Sequence, residues 1–115
     1  MATHIITFSG VPVALNALFC HWAERSRLKR IDRQVIYLAA REAGVPRAPG
    51  RRRVSLDVRG WPGGRMPDPD AFWKSVLDAL VAAGMLTDDD QAGVEMGHVI
   101  LSRGGPRTII TLEDL

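Results

Sequence analysis

The sequence predicts a small α+β domain, a mixed β-sheet packed against two main helices, in the order β-α-β-α-β-β. Three observations carry this. Short β-branched runs sit at residues 3–8, 54–59, 94–101 and 107–112. Two longer segments, 27–43 and roughly 69–83, repeat their apolar residues every three or four positions. Clusters of Gly and Pro separate them. A sheet and helices that each have one apolar face bury those faces against one another.

The first strand is read from Thr3 to Phe8, where Ile5, Ile6 and Phe8 lie among threonines before Ser9-Gly10 and Pro12. Residues 13–22 are apolar apart from Asn16 and suit either a core-packed loop or a helical turn. From Arg27 to Ala43, Leu28, Ile31, Val35, Leu38, Ala39 and Ala43 form one stripe, with Arg30, Arg33, Arg41 and Glu42 elsewhere, and Gly44 is placed to stop the helix. Val54, Leu56 and Val58 alternate with Ser55, Asp57 and Arg59, the period of a half-buried strand. The second helix starts near Pro69, with Phe72, Val76, Ala79, Leu80 and Ala83 inward and Gly84 at its end. Val94–Leu101 and Arg107–Leu112 complete the sheet, and Arg103-Gly104-Gly105-Pro106 reads as a hairpin connection between them.

The 115 residues fit a single domain spanning 1–115. No apolar run approaches the roughly 18 residues of a membrane span, which predicts no membrane partner. The first eight residues lack the basic start and cleavage site of a secretory signal. Cys20 is the sole cysteine, so the chain forms no internal disulfide, and a cytoplasmic location is expected.

The formal charge of +2 conceals a division. Residues 1–65 hold 12 Lys/Arg against 4 Asp/Glu, or +8, whereas residues 66–115 hold 3 against 9, or −6. The basic half attracts a polyanion. The acidic half repels one unless a divalent cation neutralises it, so the pairing points to a phosphodiester and a metal. Arg25, Arg27, Lys29, Arg30, Arg33, Arg51, Arg52 and Arg53 are the candidate DNA-backbone contacts. Trp22, Trp61 and Trp73, and likewise His4, His21 and His98, are read as structural residues and are left out of the site.

The acidic half has two informative segments. In Asp68-Pro69-Asp70-Ala71-Phe72-Trp73-Lys74 one acid precedes the helix, a second lies in its first turn, and Lys74 follows Asp70 by four residues on the same face. Asp68 also suits an N-cap and Pro69 a first helical position, so these residues alone make an ordinary helix start. In Asp88-Asp89-Asp90-Gln91 three adjacent carboxylates repel one another, although a turn needs only one of them. A helix of about fifteen residues spans on the order of 22 Å, so Asp89 meets the first pair only if the chain doubles back, the helix is shorter, or a symmetry-related copy contributes.

The pattern Asp68-x-Asp70, Lys74, Asp78-Ala79-Leu80, Ala83-Gly84 and Asp88-Asp89-x-Gln91 resembles the RusA family of Holliday junction resolvases. Gly10-Val11-Pro12, Asn16 and the basic helix after His21-Trp22 extend the similarity over most of the chain. The resemblance implies a RusA-like fold and a homodimer acting on branched DNA, the four-way junction. It implies a site in which Asp68, Asp70 and Asp89 bind Mg²⁺, or alternatively Mn²⁺, and act with Lys74. The implied activity is an endodeoxyribonuclease that resolves junctions by paired symmetric nicks in DNA recombination and repair. Ala71 stands where family members commonly carry Asn, and the alternative is a non-catalytic branched-DNA-binding module.

Overall fold

The computed structural model describes residues 2–10, 22–60, 73–88, 90 and 92–115, with the side chains of 22–26, 28 and 29 outside that description. The described elements are β1 (Thr3–Ser9), α1 (Trp22–Glu42), β2 (Arg52–Arg59), α2 (Trp73–Ala82), β3 (Val94–Ser102) and β4 (Arg107–Asp114). They form a small α+β domain with a mixed four-stranded sheet in the order β1-β4-β2-β3. The expected beginning of the second helix near Pro69 and the segment 13–21 lie outside the described residues.

β2 occupies the interior of the sheet, bonded in parallel to β3 and antiparallel to β4, which in turn pairs antiparallel with β1. This corrects the expected β3–β4 hairpin, because β2 lies between the two strands. Residues 103–106 carry the chain over the end of β2. Two strand spacings amount to roughly 10 Å, within reach of a four-residue link. The crossing is close: a Cβ on Gly60 would lie 2.5 Å from Pro106 Cα and 2.9 Å from the Gly104 carbonyl oxygen, and Gly60 has φ +86°. Glycine meets both the contact and the left-handed backbone.

β3 contains one extra residue between its pairings with Val54 and Leu56, where Met96 and Val99 are the partners. A bulge shifts the alternation by one residue. Val94 before it is buried, and Val99 and Leu101 after it pack on the same core. Gly97 lies in the bulge, where a Cβ would collide with Ser55 Oγ.

Both helices end alike. Gly44 N–H donates to the Arg41 carbonyl and Val45 N–H to that of Ala40; Gly84 N–H donates to Val81 and Met85 N–H to Leu80. With φ +70° and +78°, Gly44 and Gly84 form Schellman caps, which satisfy terminal carbonyls. The two glycines expected to stop the helices therefore do so.

The core collects Ile6, Val54, Leu56, Val58, Ile110 and Leu112 from one face of the sheet with Ile36, Ala39 and Ala40 of α1 and Trp73, Val76, Leu77, Ala79 and Leu80 of α2. Trp73 is a core residue, as expected. The seam of α1 is rotated from the expected stripe: Asp32, Ile36, Ala39 and Ala40 are buried, while Ile31, Leu38 and Ala43 are exposed. A hydrogen bond from Ser75 Oγ to Asp32 Oδ2, 2.6 Å, is what makes a buried carboxylate tolerable on that seam. No described helix is long and apolar enough to cross a membrane.

At the start of β2, Arg52 is 0% exposed. Its Nε donates to Asp114 Oδ1 at 2.6 Å, and its Nη1 donates to the carbonyls of Pro46 and Met85, both at 3.1 Å. His4 Nε2 approaches the other Asp114 oxygen at 3.3 Å, so the expectation of a structural role for His4 is met. One side chain thereby joins the central strand, the C-terminal strand and the segments after both helices.

Arg52→Met is expected to lower unfolding free energy by about 2–4 kcal/mol in urea titration, because a partly buried carboxylate and two carbonyls lose their donor. The hydrogen bond from Arg52 holds the Asp114 carboxyl below its usual range. A lowered folded-state value adds stability that is complete above the unfolded pKa and disappears as pH falls through the folded one. Acid titration of stability should therefore flatten in Asp114→Asn. Gly60→Ala should cost about 2 kcal/mol or more, since backbone occupies the space for its methyl group.

Candidate metal and nucleic-acid site

β2 and β3 are parallel neighbours joined through α2, so α2 must return the chain from the end of β2 to the start of β3. The return is visible at its C-terminus. Gly84 O accepts the Ala48 amide, Met85 O accepts Arg52 Nη1, and Arg52 N–H donates to Gly93 O at 3.2 Å, all beside the beginning of β2. The stretch 61–72 that joins the end of β2 to Trp73 contains Asp68 and Asp70, and both lie outside the described residues, as does Asp89.

The two residues flanking Asp89 are described. Asp90 shapes the turn: its Oδ1 accepts the amides of Ala92 at 2.9 Å and Gly93 at 3.3 Å, and its carbonyl accepts those of Gly93 and Val94. Asp90 is thus the one carboxylate of the three that an Asx-type turn requires. The backbone of Asp88 lies so near Gly93 that a Cβ there would strike it. Asp88 and Asp90 sit at the C-terminal end of α2, whereas the 61–72 stretch joins its N-terminal end. The ten described residues of α2 span about 15 Å. Among the described residues no group of three His, Cys, Asp or Glu side chains is arranged to hold a metal.

Lys74, in the first turn of α2, is exposed, and its Nζ stands 3.7 Å from Asp78 Oδ2. That i,i+4 pair orients the lysine along the helix surface and leaves its ammonium accessible. One residue on, Ser75 donates to Asp32, a carboxylate that enters the sequence analysis only through the charge count. Its signal was positional: Asp32 precedes the buried Ile36 by one helical turn.

The candidate cations divide sharply. Arg27, Arg30 and Arg33 are exposed on α1, and Arg51 is exposed before β2. The side chains of Arg25 and Lys29 fall outside the description. Arg52 is removed from the set of phosphate contacts, because its guanidinium is enclosed and bonded within the protein. Arg53 lies on the sheet face away from the helices, bonded to Glu95 at 2.5 Å and to Glu113 at 3.3 Å. The Glu95 hydrogen bond, with the charges of both acids, raises the pKa of its guanidinium and ties it across three strands. Among the described candidates the exposed cations are therefore Arg27, Arg30, Arg33 and Arg51, whereas Arg52 and Arg53 are engaged within the protein.

Lys74→Ala is expected to change stability by less than about 0.5 kcal/mol, the value of an exposed helical ion pair, so a loss of activity in that variant would report function. Ser75→Ala should cost about 1–3 kcal/mol by depriving the buried Asp32 of a donor, with thermal denaturation as the measurement.

No protein-family model matches the chain, and no curated protein is similar enough to count as a relative, so the functional reading rests on its own residues.

Proposed function

We propose that the protein is a Mg²⁺-dependent, structure-selective endodeoxyribonuclease of RusA type that resolves four-way DNA junctions by paired symmetric nicks, in recombination and repair. The observation that carries the reading is the spacing of Asp68, Asp70, Lys74 and Asp89 in an acidic half joined to a basic half whose α1 arginines face solvent. The candidate donor set consists of carboxylates, the oxygen ligands that hard divalent cations prefer. Mn²⁺ has the same preference.

Asp68 and Asp70 are assigned to the ion together with Asp89, which follows the opposite end of α2 and is assigned to the site from the symmetry-related copy of the homodimer. These carboxylates would hold a divalent cation, which when bound would supply activation of a water and compensation of the charge developing on the phosphate. Lys74 places a second positive charge at the same helix end, where it steadies the scissile phosphodiester. Arg27, Arg30, Arg33 and Arg51 hold neighbouring phosphates without reading sequence, with Arg25 and Lys29 assigned alike. A junction offers two equivalent strands to cut, which a homodimer with one site per strand matches.

Incubation of a labelled four-way junction with Mg²⁺ should yield nicks at symmetric positions, and chelator should abolish them. Asp70→Asn and Asp89→Asn should each lower cleavage about 100-fold or more while junction binding persists. Binding without nicks at any Mg²⁺ or Mn²⁺ concentration would replace the nuclease with a branched-DNA-binding module, the role that Ala71 in place of Asn favours.

A further inference from the structure

The outward face of α1 carries a feature that the metal site does not use. At 100° per residue, Arg27, Arg30, Arg33, Gln34, Tyr37 and Arg41 fall within about 120° of the helix circumference, opposite buried Asp32 and Ala39. From Arg27 to Arg41 the stripe is about 21 Å long. All six side chains are exposed, and the stripe contains no carboxylate. Arg30, Arg33 and Arg41 make no ion pair with any described residue.

Beside the stripe, α1 and the end of α2 border two adjoining open clefts. One, about 290 Å³, is lined by Arg33, Gln34, Tyr37, Ala82 and Ala83, with an almost wholly apolar wall. The other, about 360 Å³, is lined by Arg33, Asp78, Val81 and Ala82. Arg33 belongs to both. Volumes of this size approach the lower end of the range for small-molecule sites, roughly 300–1,000 Å³. Tyr37 is 47% exposed, an unusual position for an aromatic ring bordered by alanines and arginine.

We infer that the Tyr37 cleft is a subsite for an unpaired nucleobase, with the α1 arginines holding the phosphates of the same single strand. A planar base gains from stacking on an aromatic ring and needs no sequence-specific partner. Ala82 and Ala83 line the same cleft with short side chains. Gln34 offers a donor and an acceptor at the cleft edge, and Arg33 places a cation between cleft and stripe. The arginine-rich stripe matches a polyanion in charge, and Asp78, the carboxylate lining the adjoining cleft, stands opposite Arg33 rather than on the stripe, which favours nucleic acid over an apolar peptide helix as the occupant. The inference rests on the nucleic-acid part of the proposed function, and it assigns to α1 the distinction between single-stranded and duplex segments near a branch point.

Fluorescence anisotropy in EDTA tests this without cleavage, using labelled oligothymidylate of about 20 nucleotides and a duplex of equal length. Wild type should bind the single strand with an affinity that falls steeply with salt. Tyr37→Ala should weaken that binding about fivefold to 100-fold and leave duplex binding unchanged, and Tyr37→Phe should retain it, since stacking needs the ring alone. Arg33→Ala should weaken both probes and reduce the salt slope. Circular dichroism checks the fold of each variant. Equal oligothymidylate affinity in wild type and Tyr37→Ala overturns the subsite, and so does no binding by wild type. Junction nicking is scored separately: nicking with a Tyr37-independent affinity removes the subsite and leaves the nuclease, whereas Tyr37-dependent binding without nicking upholds the subsite and removes the nuclease.

Discussion

Everything in the molecule hangs on β2 having two partners. Its parallel pairing with β3 requires a crossover, which is α2. Its antiparallel pairing with β4 forces residues 103–106 over its end at Gly60. A strand bonded on both edges and covered by two helices presents Val54, Leu56 and Val58 to a closed core, and its first residue, Arg52, is enclosed with them, so that Nε and Nη1 find partners within the protein while Nη2 has none among the described residues. Asp114, Pro46 and Met85 supply the partners, so the β2 start becomes the junction at which the two helix-exit segments and the C-terminus meet.

That arrangement gives the two sheet faces different work. The helical side is filled by apolar residues, with Asp32 as a buried exception tied to Ser75. The other side carries a charged row in which Arg53 bridges Glu95 and Glu113. An arginine held this way contributes to strand registry more than to attraction of a ligand. The exposed candidate arginines of α1 lie instead on the helix surface.

The acidic turn after α2 shows how one composition divides among roles. Asp90 closes the turn through its side chain and Asp88 through its backbone. A run of three like charges exceeds what turn geometry requires, and Asp89, between these two in sequence, lies outside the described residues.

Local patterning was enough to identify the element order, the caps at Gly44 and Gly84, and Trp73 as core, because each depends on residues within one or two helical turns. The carboxylate spacing and the division of charge were equally legible, and with them the proposed chemistry. Three features were decided by tertiary structure. The path from β3 to β4 depends on β2, forty residues away in sequence, taking the place between them, and a Gly-Gly-Pro link has no means of signalling that. The seam of α1 turned toward Asp32 because Ser75 of α2 satisfies it, a partner invisible within α1 itself. Three consecutive arginines looked equivalent, yet strand alternation sends Arg52 into the protein and Arg53 to the opposite face. Sequence by itself determined which charged residues the chain carries and how they are spaced; the pairing of distant strands decided which of those charges reach solvent, since burial and ion pairing are properties of neighbours that only the folded chain assembles.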